Sequence, residues 1–240
     1  MENINDLLKE YKAKKFNDSQ LAKIREGLEK GLDVSWYAKK GMSWRKMGII
    51  LDGLEEGLDV SHYALTKYNI YQMQEIKWGL ESGLDISIYA KPEYSDDQMT
   101  QIRYGLEHNL DISWYADPKF DSSQMIQILW GLEEGVDVSL YANPKYSAEQ
   151  MLEIRKGLEN NIDISQYSNV NYNCDQMEQI RWGLQSKVDI SVYAKPEYTW
   201  QQMYQIRWGL EKGVDVSKYA NPKYTSNQMR DIREKLEEGK

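Results

Sequence analysis

One register of this chain repeats side chains that could carry recognition chemistry. Trp78, Tyr104, Trp130, Trp182 and Trp208 each stand immediately before a glycine. Indole and phenol rings are the groups most enriched where proteins grip partners. Tyr71 and Tyr204 project toward the same side of a helical projection, and Arg103, Arg181 and Arg207 immediately precede three of the rings. These ten residues are the candidate partner-binding set. The arginines belong to a longer cationic column, Arg25, Lys77, Arg103, Arg155, Arg181, Arg207 and Arg233, which Leu51 and Leu129 interrupt. A glutamate usually follows each cation four residues later, as in Arg103/Glu107 and Arg207/Glu211. Helical spacing alone makes that an ion-pair ladder, worth tenths of a kcal/mol per pair. The competing reading is a charged track for an anionic partner. The aromatic row has two readings as well. It is a binding surface, favoured because exposed aromatic rows on polar faces are uncommon without a partner, or it packs against an adjacent repeat.

Other chemistries find no foothold. His62, His108 and Cys174 share no ligand spacing, and there is no Gly-rich phosphate loop and no specific Ser/His/Asp set. Cys174 has no obvious activating partner. Gln98, Glu107, Asp111, Ser113 and Tyr115 recur in nearly every copy, and a group repeated so often belongs to the scaffold rather than to one asymmetric site. The expectation is a non-enzyme that holds no cofactor and no metal.

What positions these residues is a strict period. Gly27, Gly53, Gly79, Gly105, Gly131, Gly157, Gly183 and Gly209 fall 26 residues apart, and so do the aspartates from Asp33 to Asp215. Such a period marks a stack of equivalent units. In the copy from Tyr94 to Lys119, Ser95 and Gln98 form a capping box. Met99, Ile102 and Leu106 share one helical face, and Asn109, usually Gly in other copies, ends the helix. Helix A therefore spans about 13 residues. Asp111 caps a second, shorter element with 3₁₀ character, and Pro118 stops it. Nothing alternates with a period of two, so no sheet is expected. The chain is read as all-α, a right-handed α-solenoid of about nine 26-residue helix–turn–short-helix repeats. Residues 1–15 form an N-terminal capping helix and residues 16–240 the array of eight full repeats plus a final capping helix. The recurrent mid-helix glycine is expected to mark close helix-to-helix approach at each junction, so that Gly131→Leu lowers the melting temperature sharply. The tyrosine at Tyr115 and its equivalents is expected to pack its ring between units and to bond its hydroxyl to a turn.

The phrase from Gln202 to Pro222, Gln-Met-x-x-Ile-Arg-x-Gly-Leu-Glu-x-Gly-Val-Asp-Val-Ser-x-Tyr-Ala-x-Pro, resembles tandem repeats in uncharacterised proteins of bacteria and their phages. The resemblance covers residues 16–240 and brings no established activity. Three links depart from it by lacking proline, Lys39-Lys40-Gly41, Leu65-Thr66-Lys67 and Ser168-Asn169-Val170. They are expected to curve differently.

Composition bounds the partner. The net charge is −8, with a pI near 5.0. That weighs against general binding to nucleic acid or to acidic membranes. The single cysteine fits a reducing compartment, no apolar run could span a membrane, and the start has no apolar signal-peptide core. The reading is a cytoplasmic protein that binds another protein, as a scaffold or as an inhibitor covering a functional surface. A mobile-element origin, implied by the resemblance alone, favours inhibition of a host defence protein. The alternative is single-stranded nucleic-acid or nucleotide binding, through rings beside arginines.

Overall fold

The computed structural model describes residues 3–239. Its contacts divide the chain into two stretches, Met1–Ser122 and Ser123–Lys240. The first contains α1 (Ile4–Ala13), α2 (Asp18–Glu29), α3 (Trp44–Glu55), α4 (Ile70–Glu81) and α5 (Asp96–Glu107), each packed on the next. Short 3₁₀ turns at Val34–Trp36, Val60–His62, Ile86–Ile88 and Ile112–Trp114 follow α2 to α5.

The second stretch repeats the plan with α6 (Ser122–Glu133), α7 (Ala148–Glu159), α8 (Cys174–Gln185), α9 (Trp200–Glu211) and α10 (Ser226–Glu238). Its 3₁₀ turns are Val138–Leu140, Ile164–Gln166, Ile190–Val192 and Val216–Lys218. Helices α7 to α10 pack in order. Among the described residues there is no strand, and no helix is long and apolar enough to cross a membrane. The protein is thus an all-helical repeat fold of the α-solenoid type.

Local chemistry sets each boundary. In α5 the Ser95 hydroxyl accepts from the Gln98 N–H at 3.1 Å, and the Gln98 carboxamide accepts from the Ser95 N–H at 2.7 Å. This reciprocal pair satisfies two donors that a helix start leaves open. The helix runs 12 residues and ends at Asn109, whose φ of 56° lies in the left-handed region. Gly31, Gly57, Gly83, Gly135 and Gly213 take that conformation in their copies, as do Asn161 and Lys187. Asp111 then accepts from the Ser113 N–H at 3.1 Å and starts the 3₁₀ turn. Met99 and Ile102 are fully buried, whereas Leu106 is only half-buried. The pairs Met125/Ile128 and Met203/Ile206 are likewise sealed inside, and Leu132 and Leu210 are half-buried.

The capping glutamine does more than cap. The Gln98 amide also donates to the Pro118 and Phe120 carbonyls at 3.3 and 2.5 Å, in the link to the next helix. Gln72 reaches Pro92 and Tyr94 in the same way, and Gln150, Gln176 and Gln202 do so in the second stretch. One buried carboxamide therefore fastens a helix start to the following link. Lys46 keeps only the donor half, its ammonium reaching the Tyr68 carbonyl, because it has no acceptor to offer the Ser43 N–H. The links without proline share the first hydrogen bond of the link turn, but the Lys39-Lys40-Gly41 link departs from it at Gly41, whose φ is 89°. The Asn169 N–H donates to the Tyr167 carbonyl at 2.6 Å, as the Lys91 N–H does to Tyr89 at 2.6 Å.

The mid-helix glycine has a different cause from the one its recurrence suggests. A Cβ on Gly131 would stand 1.9 Å from the Tyr141 hydroxyl and 3.0 Å from Val138. Both neighbours come from the 3₁₀ segment of the same repeat. The expectation of a helix-to-helix approach is therefore corrected: the glycine makes room for a tyrosine hydroxyl. That hydroxyl donates to the Gln127 carbonyl inside α6 at 3.0 Å. Tyr37, Tyr89, Tyr115, Tyr167, Tyr193 and Tyr219 make the equivalent bond to Lys23, Glu75, Gln101, Glu153, Gln179 and Gln205. The acceptor is a helix carbonyl rather than a turn. Tyr63 is fully buried in the same seat, with no hydrogen-bond partner for its hydroxyl.

Candidate functional site: the tryptophan face

The ring-bearing register lies on the side of helix A opposite the Met/Ile core. Trp78 (42% exposed), Trp130 (45%) and Trp182 (36%) keep a large part of the indole in solvent. Tyr71 is exposed. Tyr104, Tyr204 and Trp208 are half-buried. Tyr104 stacks on His108 with centroids 3.9 Å apart, and Tyr204 stacks on Trp208 at 6.1 Å. The aromatic row is therefore uneven, with three open indoles and more covered positions beside them.

The arginines occupy a different place. Arg181 and Arg207 are buried, and Arg103 is half-buried. Each sits in the seam between consecutive helices. Arg103 donates from Nε to Glu75, 28 residues earlier in α4, at 2.8 Å, and from Nη1 to Glu107 at 2.6 Å. Burial works against its charge, but these two carboxylates more than offset that and raise its pKa. Arg207 bonds Gln179 at 3.2 Å and Glu211 at 2.5 Å, and Arg181 bonds Glu153 at 2.9 Å. Arg155 pairs with Gln127 and Glu159, and Arg233 with Gln205 and Glu237. The within-helix ladder is present at Arg103, Arg155, Arg207 and Arg233 but not at Arg181, which has Gln185 four residues on, and a bond across the seam joins each of the five arginines to the preceding helix.

Leu51 and Leu129 occupy the arginine position in their copies and are both buried, at 0% and 2% exposure. The position is a seam seat that either an ion-paired arginine or a leucine fills. Lys77 fills it too, pairing with Glu56 at 2.7 Å and with Glu81. The acceptors Glu75, Gln127, Glu153, Gln179 and Gln205 were not singled out from the sequence. The sequence carries only a partial signal for them, since Gln101 precedes Leu129 by 28 residues and Ile49 precedes Lys77 by 28. Lys23 holds the acceptor position of α2, and the next repeat places Leu51, not a cation, opposite it.

Indole and arginine meet across the seam. The guanidinium of Arg103 lies over Trp78 at 5.3 Å, Arg155 over Trp130 at 5.4 Å and Arg207 over Trp182 at 5.2 Å. In each case the cation comes from the helix after the one that carries the ring. A cation held over an indole contributes about 0.5–1 kcal/mol at partly exposed sites. Here it also fixes the ring, because the arginine itself is held by its two acceptors. Trp182 also has Arg181 of its own helix 5.9 Å from the ring, and all three tryptophans keep part of their surface in solvent. Lys156 replaces the ring in α7 and pairs with Glu153 at 2.8 Å, so that this glutamate holds both Lys156 and Arg181.

Trp78, Glu81, Ser82, Arg103 and Glu107 line a shallow, open notch of about 310 Å³. Elsewhere, burial and the neighbouring Asp175 carboxylate raise the Cys174 pKa, which keeps that thiol protonated at neutral pH. Among the described residues no group of three or more His, Cys, Asp or Glu side chains is placed to hold a metal ion. Comparison with protein-family models, with curated proteins and with solved structures finds no match to this chain. Function is therefore argued from geometry.

Proposed function

We propose that the protein is a non-enzymatic binding module that docks another protein through tryptophans pointing outward from its helices, Trp78 in the first stretch and Trp130 and Trp182 in the second. The observation that carries this reading is the set of half-exposed indoles, Trp78, Trp130 and Trp182, each held from one side by an arginine that is itself locked into the seam. A large amphipathic ring that is already immobile loses little entropy on docking, which is what an anchor residue needs. The arginines support the scaffold half of the site. Arg103 bonds Glu75 and Glu107, Arg181 bonds Glu153, and Arg207 bonds Gln179 and Glu211. The resemblance to phage repeats favours occlusion of a host defence protein as the consequence of docking.

The test is replacement of Trp78, Trp130 and Trp182 by Ala together. Helical circular dichroism is expected to persist, because the rings are outside the core. Capture of the native partner, and any inhibition of that partner's activity, is expected to be lost. Undiminished capture by the triple variant removes the site assignment.

A further inference from the structure

We infer that the protein carries a second, separate binding site, for single-stranded nucleic acid, on the links that join α2 to α3 and α3 to α4. The net charge of −8 is unevenly spread. From Val34 to Leu51 the chain has four cations, Lys39, Lys40, Arg45 and Lys46, and no carboxylate. From Val60 to Gln74 it has Lys67 and again no carboxylate. The site lies wholly in the first stretch and stands apart from the tryptophan docking reading.

Packing brings the two segments side by side. The Lys39 ammonium donates to the Ala64 carbonyl at 3.2 Å, and that of Lys46 to the Tyr68 carbonyl. Both acceptors are neutral, so the bonds place these charges without cancelling them. Lys40, Arg45 and Lys67 are exposed, and each adjoins a residue of that contact in the chain. Lys77 and Arg103 are paired with carboxylates, whereas none of these five cations has such a pair among the described residues. Carboxylates enter at the flanks. Asp18 begins α2, whose Gln20 amide donates to the Met42 carbonyl at 2.7 Å. On the other side Glu93 lies in the next link, beside the exposed Lys91, and Asp96 accepts from the Asn69 amide at 3.2 Å.

Rings accompany the cations. Lys39 lies over Trp36 at 5.6 Å, Arg45 over Trp44 at 5.4 Å and Lys67 over Tyr68 at 5.0 Å. Trp44 is 44% exposed and Tyr71 67%. Arg45 and Tyr71 hold the same position in consecutive repeats, and α3 packs on α4, so cation and open ring stand on neighbouring helices. A single strand serves both. Its phosphates neutralise unpaired cations, and its unstacked bases lie on aromatic rings. A duplex keeps its base faces stacked inside, and a run of carboxylates leaves Trp44 and Tyr71 unused.

The test uses the full-length protein and three labelled probes, oligothymidylate, a DNA duplex of the same length and oligoglutamate, followed by fluorescence anisotropy across a salt series. Oligothymidylate is expected to bind, more weakly as salt rises. Lys40→Gln with Lys67→Gln is expected to weaken it about tenfold and to flatten the logarithmic salt slope by about 1.4, at about 0.7 for each phosphate contact. Trp44→Ala is expected to weaken it about tenfold with the slope unchanged, as loss of stacking does. All three positions are exposed, and helical circular dichroism checks that the variants fold. Lys195→Gln with Lys223→Gln removes the same charge from links of the second stretch and is expected to change binding less than about twofold. So is the Trp78, Trp130 and Trp182 alanine variant. A loss there would assign the strand to the docking rings and overturn this site, whereas undiminished protein capture by that variant leaves this site standing. Oligothymidylate binding that the Lys40/Lys67 and Trp44 variants both leave intact overturns the inference. So does absence of oligothymidylate binding. Tighter binding of the duplex, or binding of oligoglutamate as tight as that of oligothymidylate, overturns the single strand as the ligand.

Discussion

At Gly131 the usual rule for helix interiors reverses. Replacing an exposed helix glycine with alanine ordinarily stabilises by about 1 kcal/mol. Here the added Cβ would meet the Tyr141 hydroxyl at 1.9 Å, so Gly131→Ala is expected to destabilise by about 2 kcal/mol, as overpacking does. Tyr141→Phe removes the colliding oxygen and one hydrogen bond, at a loss of about 1 kcal/mol. In the double variant the two losses are expected to fall short of their sum by about 1 kcal/mol, which a denaturant-unfolding cycle measures. Strict additivity would detach the glycine from the tyrosine. Lys187 presents the opposite case. It is a side-chain-bearing residue at φ 57°, where five other copies use glycine. Lys187→Gly is expected to raise stability by about 1 kcal/mol by removing the left-handed penalty. An unchanged or lower denaturation midpoint would show that the lysine side chain compensates.

At the scale of the element, the helix A and 3₁₀ boundaries were legible because their signals are local. Cap, box, periodic Met and Ile and left-handed terminator all lie within one repeat. The reason for the mid-helix glycine was not legible, since it depends on where a tyrosine ten residues later brings its hydroxyl. The Gln98 amide bonds to Pro118 and Phe120, and the bond from Arg103 to Glu75, were hidden for the same reason. Their partners lie 20 to 28 residues away and become neighbours only when one unit packs on the next. The outward direction of Trp78, Trp130 and Trp182 was readable from helical phase, whereas the burial of Arg181 and Arg207 was not. Lys46 tests the clamp directly. A glutamine there can accept from the Ser43 N–H and still donate to the Tyr68 carbonyl, restoring what the other copies have. Lys46→Gln is therefore expected to stabilise by about 0.5–1 kcal/mol in chemical denaturation, a typical capping contribution. A loss of stability would mean that the ammonium bond to Tyr68 outweighs the completed box.

Across the molecule, the buried tyrosines link stability to alkaline pH. Burial raises the pKa of Tyr37, Tyr63, Tyr89, Tyr141, Tyr167 and Tyr193 well above the ordinary phenol value, and that of Tyr219 to about 12. The folded state thus keeps protons that the unfolded chain gives up near pH 10. Their contribution is complete below that pH and is lost as pH rises through the unfolded value toward the folded one. Each such tyrosine can remove up to about 1.4 kcal/mol per pH unit in that window. Because one sits in nearly every repeat, the losses fall along the whole chain rather than at one site, and alkaline unfolding is expected to be steep above about pH 10. Tyrosinate absorbance and helical circular dichroism followed through the same titration check this. The absorbance of the buried tyrosines is expected to appear together with helix loss. Complete ionisation of every tyrosine in a chain that is still helical would show that the hydroxyl seats beside the glycines are open to solvent.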